Sequence, residues 1–292
     1  MTKEHSLAGR RVLITGATRG LGAVLSSAFW AAGAHVAAVA RSQESLVRLK
    51  GKLPVTGKQE FLPIAVDLAG AEAPSIIAKE IGEQWNGLDI LVNNAGIQGP
   101  VGPLETNSWP EWEETLRVDL LAPVKLCRLL VPLLARGGRG RIINLSGGGA
   151  TAPRPGFSAY ATAKAGLVRF SETLAEEVRH NRVTVNCIAP GAMATDMIRG
   201  ILALGPEKAG IQECQAAEKA LVAGEAVLSR AAQLVLFLAS DEAAGISGRL
   251  ISAQWDPWPH LGAHVESLRN SDIYTLRRIM PKDRGMDWGS WQ

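Results

Sequence analysis

Short apolar segments alternate with helix-length segments along most of this chain of 292 residues. Each apolar segment is rich in Val, Ile or Leu and is bounded by Gly, Pro or Asn, as is typical of strands buried on both faces. The segments predicted as strands are RRVLIT (10–15), HVAAVA (35–40), FLPIAVD (61–67), LDILVNN (88–94), GRIINLS (140–146), RVTVNCIAP (182–190) and RLISAQ (249–254). Because strands joined by helices pair in parallel through right-handed crossovers, this order predicts an α/β fold, a doubly wound parallel sheet with helices on both faces.

The chain divides into one large domain and a C-terminal extension. No repeat, low-complexity tract or linker divides residues 1–256, which are predicted to form a single domain. Four of the eight tryptophans stand at or beyond the end of that domain, at Trp255, Trp258, Trp288 and Trp291. Disordered tails are poor in aromatic residues. We therefore expect residues 257–292 to pack on their own subunit or on a neighbouring one.

The composition argues against several classes of function. The net charge of +3 is too small to indicate nucleic acid or a membrane surface as a partner. Cys127, Cys187 and Cys214 are widely spaced, which predicts neither a disulfide framework nor a metal site. No apolar signal region precedes the first predicted strand, and the longest apolar run, 29–40, is too short to cross a bilayer. A cytoplasmic protein is expected.

A glycine-rich turn, TGATRGLG (15–22), lies between the first predicted strand and the first helix. Glycine permits a tight turn and lets a diphosphate approach the backbone N–H groups at the helix N-terminus. This position in a βαβ unit predicts a dinucleotide site. The candidate contacts within the turn are Gly16, Thr18, Arg19, Gly20, Leu21 and Gly22.

The end of the second predicted strand indicates which dinucleotide binds. An acid there would bind the ribose 2′-OH of NAD, but the chain has Ala40 and Arg41, and the next acid is Glu44. Arg41 and Arg19 suit a 2′-phosphate, because guanidinium groups pair with phosphate in a fixed bidentate geometry. NADP(H) is therefore the expected cofactor, and NAD(H) is less favoured.

Tyr160 and Lys164 stand four residues apart in an Ala-rich segment predicted as a helix. That spacing places both side chains on one helix face. An ammonium close to a phenol lowers the phenol pKa from its ordinary value of about 10, toward a range useful for proton transfer. The pair is therefore a candidate for acid–base catalysis.

The glycine turn, VNNAG (92–96), the Tyr160 and Lys164 pair and PGAMAT (190–195), in this order, resemble the short-chain dehydrogenase/reductase family over residues 8–254. The resemblance implies a Rossmann-type sheet of seven strands with NAD(P) across the carboxyl ends of the strands. It further implies cofactor contacts at Asp67, Leu68, Asn94, Ala95, Gly96, Tyr160, Lys164, Pro190, Gly191 and Thr195. Family members generally assemble as dimers or tetramers, so a homodimer or homotetramer is expected.

The family mechanism assigns Tyr160 as the general acid or base at the substrate oxygen, and Lys164 as the group that tunes it. The family also has a serine thirteen residues before the tyrosine, where this chain has Gly147. Ser146 stands one position earlier and is the candidate replacement. The three glycines 147–149 make room for a bulky substrate, or they mark a site that has lost its oxygen-binding group.

Asp119 is a second departure from the family pattern. It occupies the position of the asparagine that holds a water on the proton relay to the lysine. An ionised carboxylate accepts hydrogen bonds but donates none. Asp119 is therefore a candidate catalytic residue that would place a negative charge near Lys164.

The substrate side is predicted by position alone. Residues 197–230 would form a helical lid, and Pro100, Val101, Pro103 and Trp109 would line the opposite wall. These residues slightly favour an apolar or aromatic carbonyl compound. The leading hypothesis is an NADP(H)-dependent enzyme that interconverts a carbonyl and an alcohol, similar to a 3-oxoacyl reductase. The two altered positions leave two alternatives open, a lyase or isomerase that uses bound nicotinamide transiently, and a non-catalytic dinucleotide sensor.

Overall fold

A computed structural model of the protein describes residues 6–55 and 57–289. Its centre is a parallel sheet of seven strands in the order β3-β2-β1-β4-β5-β6-β7. The strands are β1 Arg11–Thr15, β2 His35–Ala40, β3 Phe61–Ala65, β4 Ile90–Asn93, β5 Arg141–Leu145, β6 Thr184–Ala189 and β7 Leu250–Ser252. The predicted doubly wound sheet of seven strands is therefore confirmed.

Helices cover both faces of the sheet. They are α1 Gly20–Ala31, α2 Gln43–Lys52, α3 Ala73–Trp85, α4 Trp109–Leu116, α5 Ala122–Ala135, α6 Ser158–Glu177, α7 Asp196–Ala209, α8 Ile211–Ala223, α9 Glu225–Ala239 and α10 Val265–Arg269. The apolar residues of α1 and α9 form one core with the sheet, and those of α3, α5 and α6 form the other. Near-continuous apolar strands are stable here because each is covered from both sides.

The strand order of the sheet reverses at β1. β1 pairs with β2 on one side and with β4 on the other, so the chain winds outward in both directions from this point. The loops that follow β1 and β4 therefore diverge and leave a crevice at the carboxyl edge of the sheet. Several strands are shorter than predicted at this edge; β4, for example, ends at Asn93, and the backbone N–H of Asn94 donates to the Thr15 side chain.

The predicted lid of residues 197–230 is built from α7, α8 and the first turn of α9. α7 bends at Gly205, where φ is +72°, directly before Pro206. The lid ends earlier than predicted, because Leu228 in α9 already belongs to the central core. Among the described residues no single helix is long and apolar enough to cross a membrane, although α8 and α9, which meet at 84°, pass that test as a bent pair.

The first part of the C-terminal extension packs against the domain of its own chain. Trp258, Leu261 and Leu268 are buried in the core beside α9, and the Trp258 ring packs on Phe237 with centroids 5.8 Å apart. Trp255 and Trp288 are instead 87% and 79% exposed, so these two rings do not anchor the extension to its own domain. Trp291 lies outside the described residues.

Arg249 holds the next part of the extension against the sheet. This buried guanidinium donates to the Ser271 carbonyl at 3.0 Å, to the Ile273 carbonyl at 2.8 Å and to the Leu268 carbonyl. The Leu250 N–H of β7 donates to the Tyr274 carbonyl at 2.8 Å. The extension thus covers the outer edge of β7.

Candidate active site

The glycine turn after β1 forms a cradle at the N-terminus of α1. Gly16 and Gly20 have φ values of +64° and +51°, which side chains disfavour. A Cβ on Gly22 would lie 2.0 Å from the Gly16 carbonyl oxygen, so only glycine fits there. In the described chain neither the Arg19 side chain nor an acid caps the first turn of α1. Its N–H groups and the positive end of its dipole are therefore open to an anion such as a diphosphate.

The predicted VNNAG turn is tied directly to this cradle. Thr15 Oγ1 accepts from the N–H groups of Asn94 and Ala95, both at 3.0 Å. The Asn94 amide donates to the carbonyl oxygens of Thr15 at 2.8 Å and Gly16 at 3.2 Å. Thr15 was not among the predicted site residues, because its role depends on the approach of a loop 79 positions away.

The PGAMAT segment reaches the same cradle from the other side. A Cβ on Gly20 would lie 3.1 Å from Thr195 Cγ2, so Thr195 faces the glycine turn. Gly191 has a φ of +91° and packs beside the Gln254 side chain, which donates to the Pro190 carbonyl at 3.1 Å. The structure therefore gathers the predicted segments 15–22, 94–96 and 190–195 around one crevice.

The residues predicted to select the nucleotide are exposed on the surface. Arg41 directly follows β2, and Arg19 is 63% exposed with only a loose contact, at 3.6 Å, to Asp196. Asp67 is exposed after β3, with its carboxylate accepting the Ala69 N–H, while Leu68 is buried. The two guanidinium groups are thus available to a ligand.

Tyr160 and Lys164 lie together on the buried face of α6, as predicted. The Lys164 ammonium is 5.5 Å from the centre of the Tyr160 ring and donates to the Leu145 carbonyl at 3.1 Å. Lys164 is only 3% exposed and Tyr160 only 8%. A proton moved by this pair is therefore shielded from bulk water.

Asp119 contacts Lys164 through its side chain. It lies in the short π-helical segment Arg117–Leu121 between α4 and α5, a type of bulge often found at functional sites. Its Oδ1 accepts the Ile97 N–H at 2.8 Å, and its Oδ2 lies 3.1 Å from Lys164 Nζ. Asp119 is completely buried. Burial raises the pKa of this carboxyl, although Lys164 and the Ile97 N–H oppose the shift.

The pKa of Tyr160 is raised above its ordinary value. Burial is the main cause, and Asp119 adds to it, while Lys164 and Arg154 act in the opposite direction. Burial alone would lower the pKa of Lys164, but the negative charge of Asp119 and the nearby Tyr160 raise it. Lys164 thus acts on the phenol in the predicted direction and lowers its pKa, but burial and the carboxylate of Asp119 together raise that pKa by more.

Packing within the chain explains two of the three glycines, 147–149, that precede α6. A Cβ on Gly147 would lie 2.2 Å from the Tyr160 hydroxyl, and a Cβ on Gly149 would lie 2.7 Å from Ala161 Cβ. Gly149 also has a φ of +90°. The hydroxyl of Tyr160 therefore occupies the space that a side chain at position 147 would need.

Ser146, the predicted replacement for the family serine, is enclosed. It is 3% exposed, and its Oγ has no hydrogen-bond partner among the described residues. Its backbone N–H donates to the Ile188 carbonyl at 2.8 Å, which fixes the main chain here. A substrate oxygen would reach this hydroxyl only after a rearrangement, which argues against the predicted catalytic role of Ser146.

Replacing Ser146 by alanine tests that role. We expect S146A to leave kcat within about threefold of the parent, and to leave Tm unchanged or higher, because an unpaired buried hydroxyl costs about 1–3 kcal/mol of desolvation. Steady-state kinetics and thermal unfolding measure the two effects. A loss of about 10²–10³ in kcat, as on removing an oxyanion donor, would show that the hydroxyl turns into the site during the reaction.

Arg154 is a residue of the site that the sequence analysis missed. Its guanidinium lies 3.9 Å from the Phe157 ring centre and 5.5 Å from that of Tyr160. It forms a bidentate pair with Glu213 of α8, at 2.9 and 2.6 Å. The pair thus joins the loop before α6 to the predicted lid. An arginine in a loop carries no sequence signal for such a contact.

An open cleft of about 580 Å³ lies between the loop after β4 and α7. Pro100, Val101 and Pro103 line one wall, as predicted, and Leu204 of the lid lines the other. Trp109 does not line it, because its ring is 59% exposed and stacks on Trp112. Val101 also belongs to an apolar cluster with Phe157, Tyr160 and Ile201. The cleft therefore lies next to the apolar surroundings of Tyr160.

A parallel doubly wound sheet binds dinucleotides at its switch point, and this one carries a glycine cradle there beside a buried Tyr and Lys pair. Such an arrangement is typical of dinucleotide-dependent oxidoreductases. The family model described as short chain dehydrogenase matches residues 10–203. The chain belongs to the short-chain dehydrogenase/reductase family, whose members act on CH–OH and carbonyl groups.

Known proteins of this family match most of the chain. The 3-oxoacyl-[acyl-carrier-protein] reductase FabG of Escherichia coli is 34% identical over 243 residues, which is 83% of this chain and 95% of the relative. The short chain dehydrogenase mpl6 of Monascus purpureus is 30% identical over 283 residues, 95% of this chain and 90% of the relative.

Solved structures of the family share the fold. L-sorbose reductase of Gluconobacter frateurii, complexed with NADPH and L-sorbose, is similar with a TM-score of 0.75 and 29% identity, covering 86% of this chain and 97% of that one. The RhlG/NADP complex of Pseudomonas aeruginosa has a TM-score of 0.71 and 30% identity, covering 86% and 97%.

Proposed function

We propose that this protein is an NADP(H)-dependent oxidoreductase that interconverts a carbonyl and an alcohol, with Tyr160 as the general acid or base. The observation that carries the proposal is the position of the Tyr160 hydroxyl, beside Gly147 and within the apolar cluster that adjoins the cleft. Val101 lines the cleft and belongs to the same apolar cluster as Tyr160, so a carbonyl group bound there would lie close to the phenol. Such positioned proton transfer contributes about 10²–10⁴-fold to a rate.

Different residues of the chain have different roles in this reaction. A bound nicotinamide supplies or accepts the hydride. Tyr160 donates the proton to the substrate oxygen during reduction and removes it during oxidation. Lys164 orients the phenol and the cofactor ribose, and Asp119 holds Lys164 in place. The apolar side chains around Tyr160, from Val101, Phe157 and Ile201, exclude water from the reacting atoms.

The cradle fits a dinucleotide, and the residues around it are the proposed contacts. Open N–H groups at the start of α1 suit the diphosphate, and Gly22 leaves no side chain to block its approach. The proposed cofactor contacts are Gly16, Thr18, Arg19, Gly20, Leu21, Gly22, Arg41, Asp67, Leu68, Asn94, Ala95, Gly96, Tyr160, Lys164, Pro190, Gly191 and Thr195. L-sorbose reductase and RhlG, two relatives of known structure, are described with NADPH and NADP respectively.

Exchanging the residues at the end of β2 tests the preference for NADP(H). The parent should bind NADPH more tightly than NADH, because Arg41 and Arg19 are available to the 2′-phosphate. The double variant A40D/R41A should reverse this order, because the new carboxylate repels that phosphate and accepts from a ribose 2′-OH. Dissociation constants for both cofactors measure the effect, with Arg48→Ala, an exposed arginine of α2, as the matched control. Equal constants in the parent would contradict the preference.

A substrate panel tests the activity itself. The purified chain is mixed with NADPH and with 3-oxoacyl thioesters, ketoses, small ketones, aldehydes and quinones, and the loss of NADPH absorbance is followed. Steady consumption with one class supports the proposal and names the substrate class. Conversion of a compound without net loss of NADPH would indicate the lyase or isomerase, and binding of NADPH without any turnover would indicate the sensor.

We further propose a homodimer or homotetramer, with the distal part of the extension against a partner. In the single chain Ile279, Met286 and Trp288 are each more than half exposed, at 60%, 51% and 79%. Exposed apolar side chains that form a contiguous surface patch mark a contact with another chain, and we propose that these three side chains form part of such a patch. The first part of the extension, by contrast, already has its contacts on its own domain.

A further inference from the structure

Two cations lie near Tyr160, and each is paired with a carboxylate of this chain. Lys164 Nζ is 3.1 Å from Asp119 Oδ2, and both residues are nine-tenths or more buried. Arg154 is paired with Glu213 through two hydrogen bonds. Because charges interact strongly where water is excluded, each carboxylate cancels much of the effect of its cation on the phenol.

The charge of the buried pair does not depend on where its proton lies. If Lys164 is an ammonium and Asp119 a carboxylate, the pair is neutral. If the proton moves from one to the other, the pair is still neutral. An uncompensated cation within about 4–6 Å would lower the pKa of a neighbouring acid by about 1–3 units, but a neutral pair has only the weaker effect of a dipole.

The other titratable groups near Lys164 and Tyr160 add no charge at neutral pH. Cys187 lies near Lys164, and burial raises the pKa of its thiol to about 12, so it is uncharged at neutral pH. Cys127 is likewise buried, with its pKa raised to about 12. The Tyr160 side chain is buried, with its hydroxyl beside Gly147 and its ring in the apolar cluster, and burial itself disfavours the phenolate.

We propose that Asp119 is an internal counter-ion to Lys164 and so keeps the proton on Tyr160 through the neutral and mildly alkaline range. The site then rests as a proton donor, ready for a carbonyl oxygen, instead of as a phenolate ready for an alcohol. Asp119 is a positioning residue, because it acts through Lys164 and not on the substrate. The proposal builds on the function proposed for Tyr160, but the state of the phenol is measured without any turnover.

A titration of tyrosinate absorbance tests the proposal. The chain has only two tyrosines, so Tyr274→Phe leaves Tyr160 as the single phenol that can ionise. In that background, Asp119→Asn keeps the acceptor for the Ile97 N–H and removes the charge. The midpoint of Tyr160 ionisation should fall by about 1–3 pH units, because Lys164 is then uncompensated. Glu114→Gln, which removes an exposed charge from α4, is the matched control and should leave the midpoint unchanged.

The reciprocal change completes the test. Tyr160 should ionise at a higher pH in Lys164→Gln than in D119N/K164Q, because only the single variant retains an unpaired carboxylate near the phenol. In the double variant the midpoint of Tyr160 ionisation should lie near that of the parent. This comparison decides the matter if D119N alone does not fold. An unchanged or higher midpoint in D119N, or equal midpoints for K164Q and D119N/K164Q, would overturn the counter-ion role even if the enzyme reduces carbonyls as proposed.

Discussion

Tyr160→Phe should lose about 10²–10⁴-fold in kcat, the contribution expected of a positioned general acid. The variant removes only the hydroxyl, and the ring keeps its place in the apolar cluster with Phe157 and Val101. The fold should therefore be retained, and NADPH should bind with an affinity close to that of the parent. Steady-state kinetics on a substrate from the panel, with a separate cofactor titration, distinguish lost chemistry from lost binding.

Tyr274→Phe is the matched control for this variant. Tyr274 is the only other tyrosine, and its role at β7 is carried by its backbone carbonyl, which the substitution keeps. Its kcat should equal that of the parent. A Tyr160→Phe enzyme with kcat close to the parent value would show that another group or a water supplies the proton.

Gly22→Ala should weaken NADPH binding by at least about tenfold, which corresponds to about 1.4 kcal/mol. The added Cβ would lie 2.0 Å from the Gly16 carbonyl oxygen and 2.7 Å from Asn94 Nδ2. Both atoms belong to the cradle, so relief of the clash moves the turn away from the geometry that suits a diphosphate. Overpacking of this kind also costs about 1–3 kcal/mol of stability, so Tm should fall.

Gly51→Ala separates this effect from a general effect of replacing glycine. Gly51 lies in α2, and no described atom comes within 4 Å of the Cβ that it would gain, apart from its chain neighbours and the helix's own backbone. Alanine is preferred to glycine in a helix by about 0.5–1 kcal/mol, so this control should be at least as stable as the parent and should bind NADPH normally. Normal NADPH binding by Gly22→Ala would show that the turn does not hold the diphosphate.

Periodic features of the sequence predicted the framework well. The β2 segment 35–40 has the predicted bounds, because a run of small and β-branched residues between a glycine turn and a polar helix leaves few alternatives. The spacing of Tyr160 and Lys164 on one helix face follows from helical geometry alone. The resemblance to the family then predicted that Asp119 would lie near Lys164, and the structure has the two groups in contact.

Contacts that depend on side-chain placement were not predictable. The contact between the Tyr160 hydroxyl and Gly147 depends on the conformation of the tyrosine side chain and on the path of the backbone after β5. Neither follows from the periodicity of the sequence. The Arg154 and Glu213 pair joins residues 59 positions apart, across a loop and a lid helix. The raised pKa of Tyr160 follows from three-dimensional burial, which a local reading of an ammonium near a phenol does not include.

The contact between Tyr274 and β7 has a consequence for the order of folding. Residues 257–276 are synthesised only after all seven strands have been made. The outer edge of β7 is therefore open while the rest of the sheet assembles. An open edge is a template for pairing with another chain. The opposite edge strand, β3, carries Pro63, which has no N–H to offer. During synthesis the β3 edge therefore carries its proline as soon as it forms, whereas the β7 edge is covered only after residues 257–276 have been made.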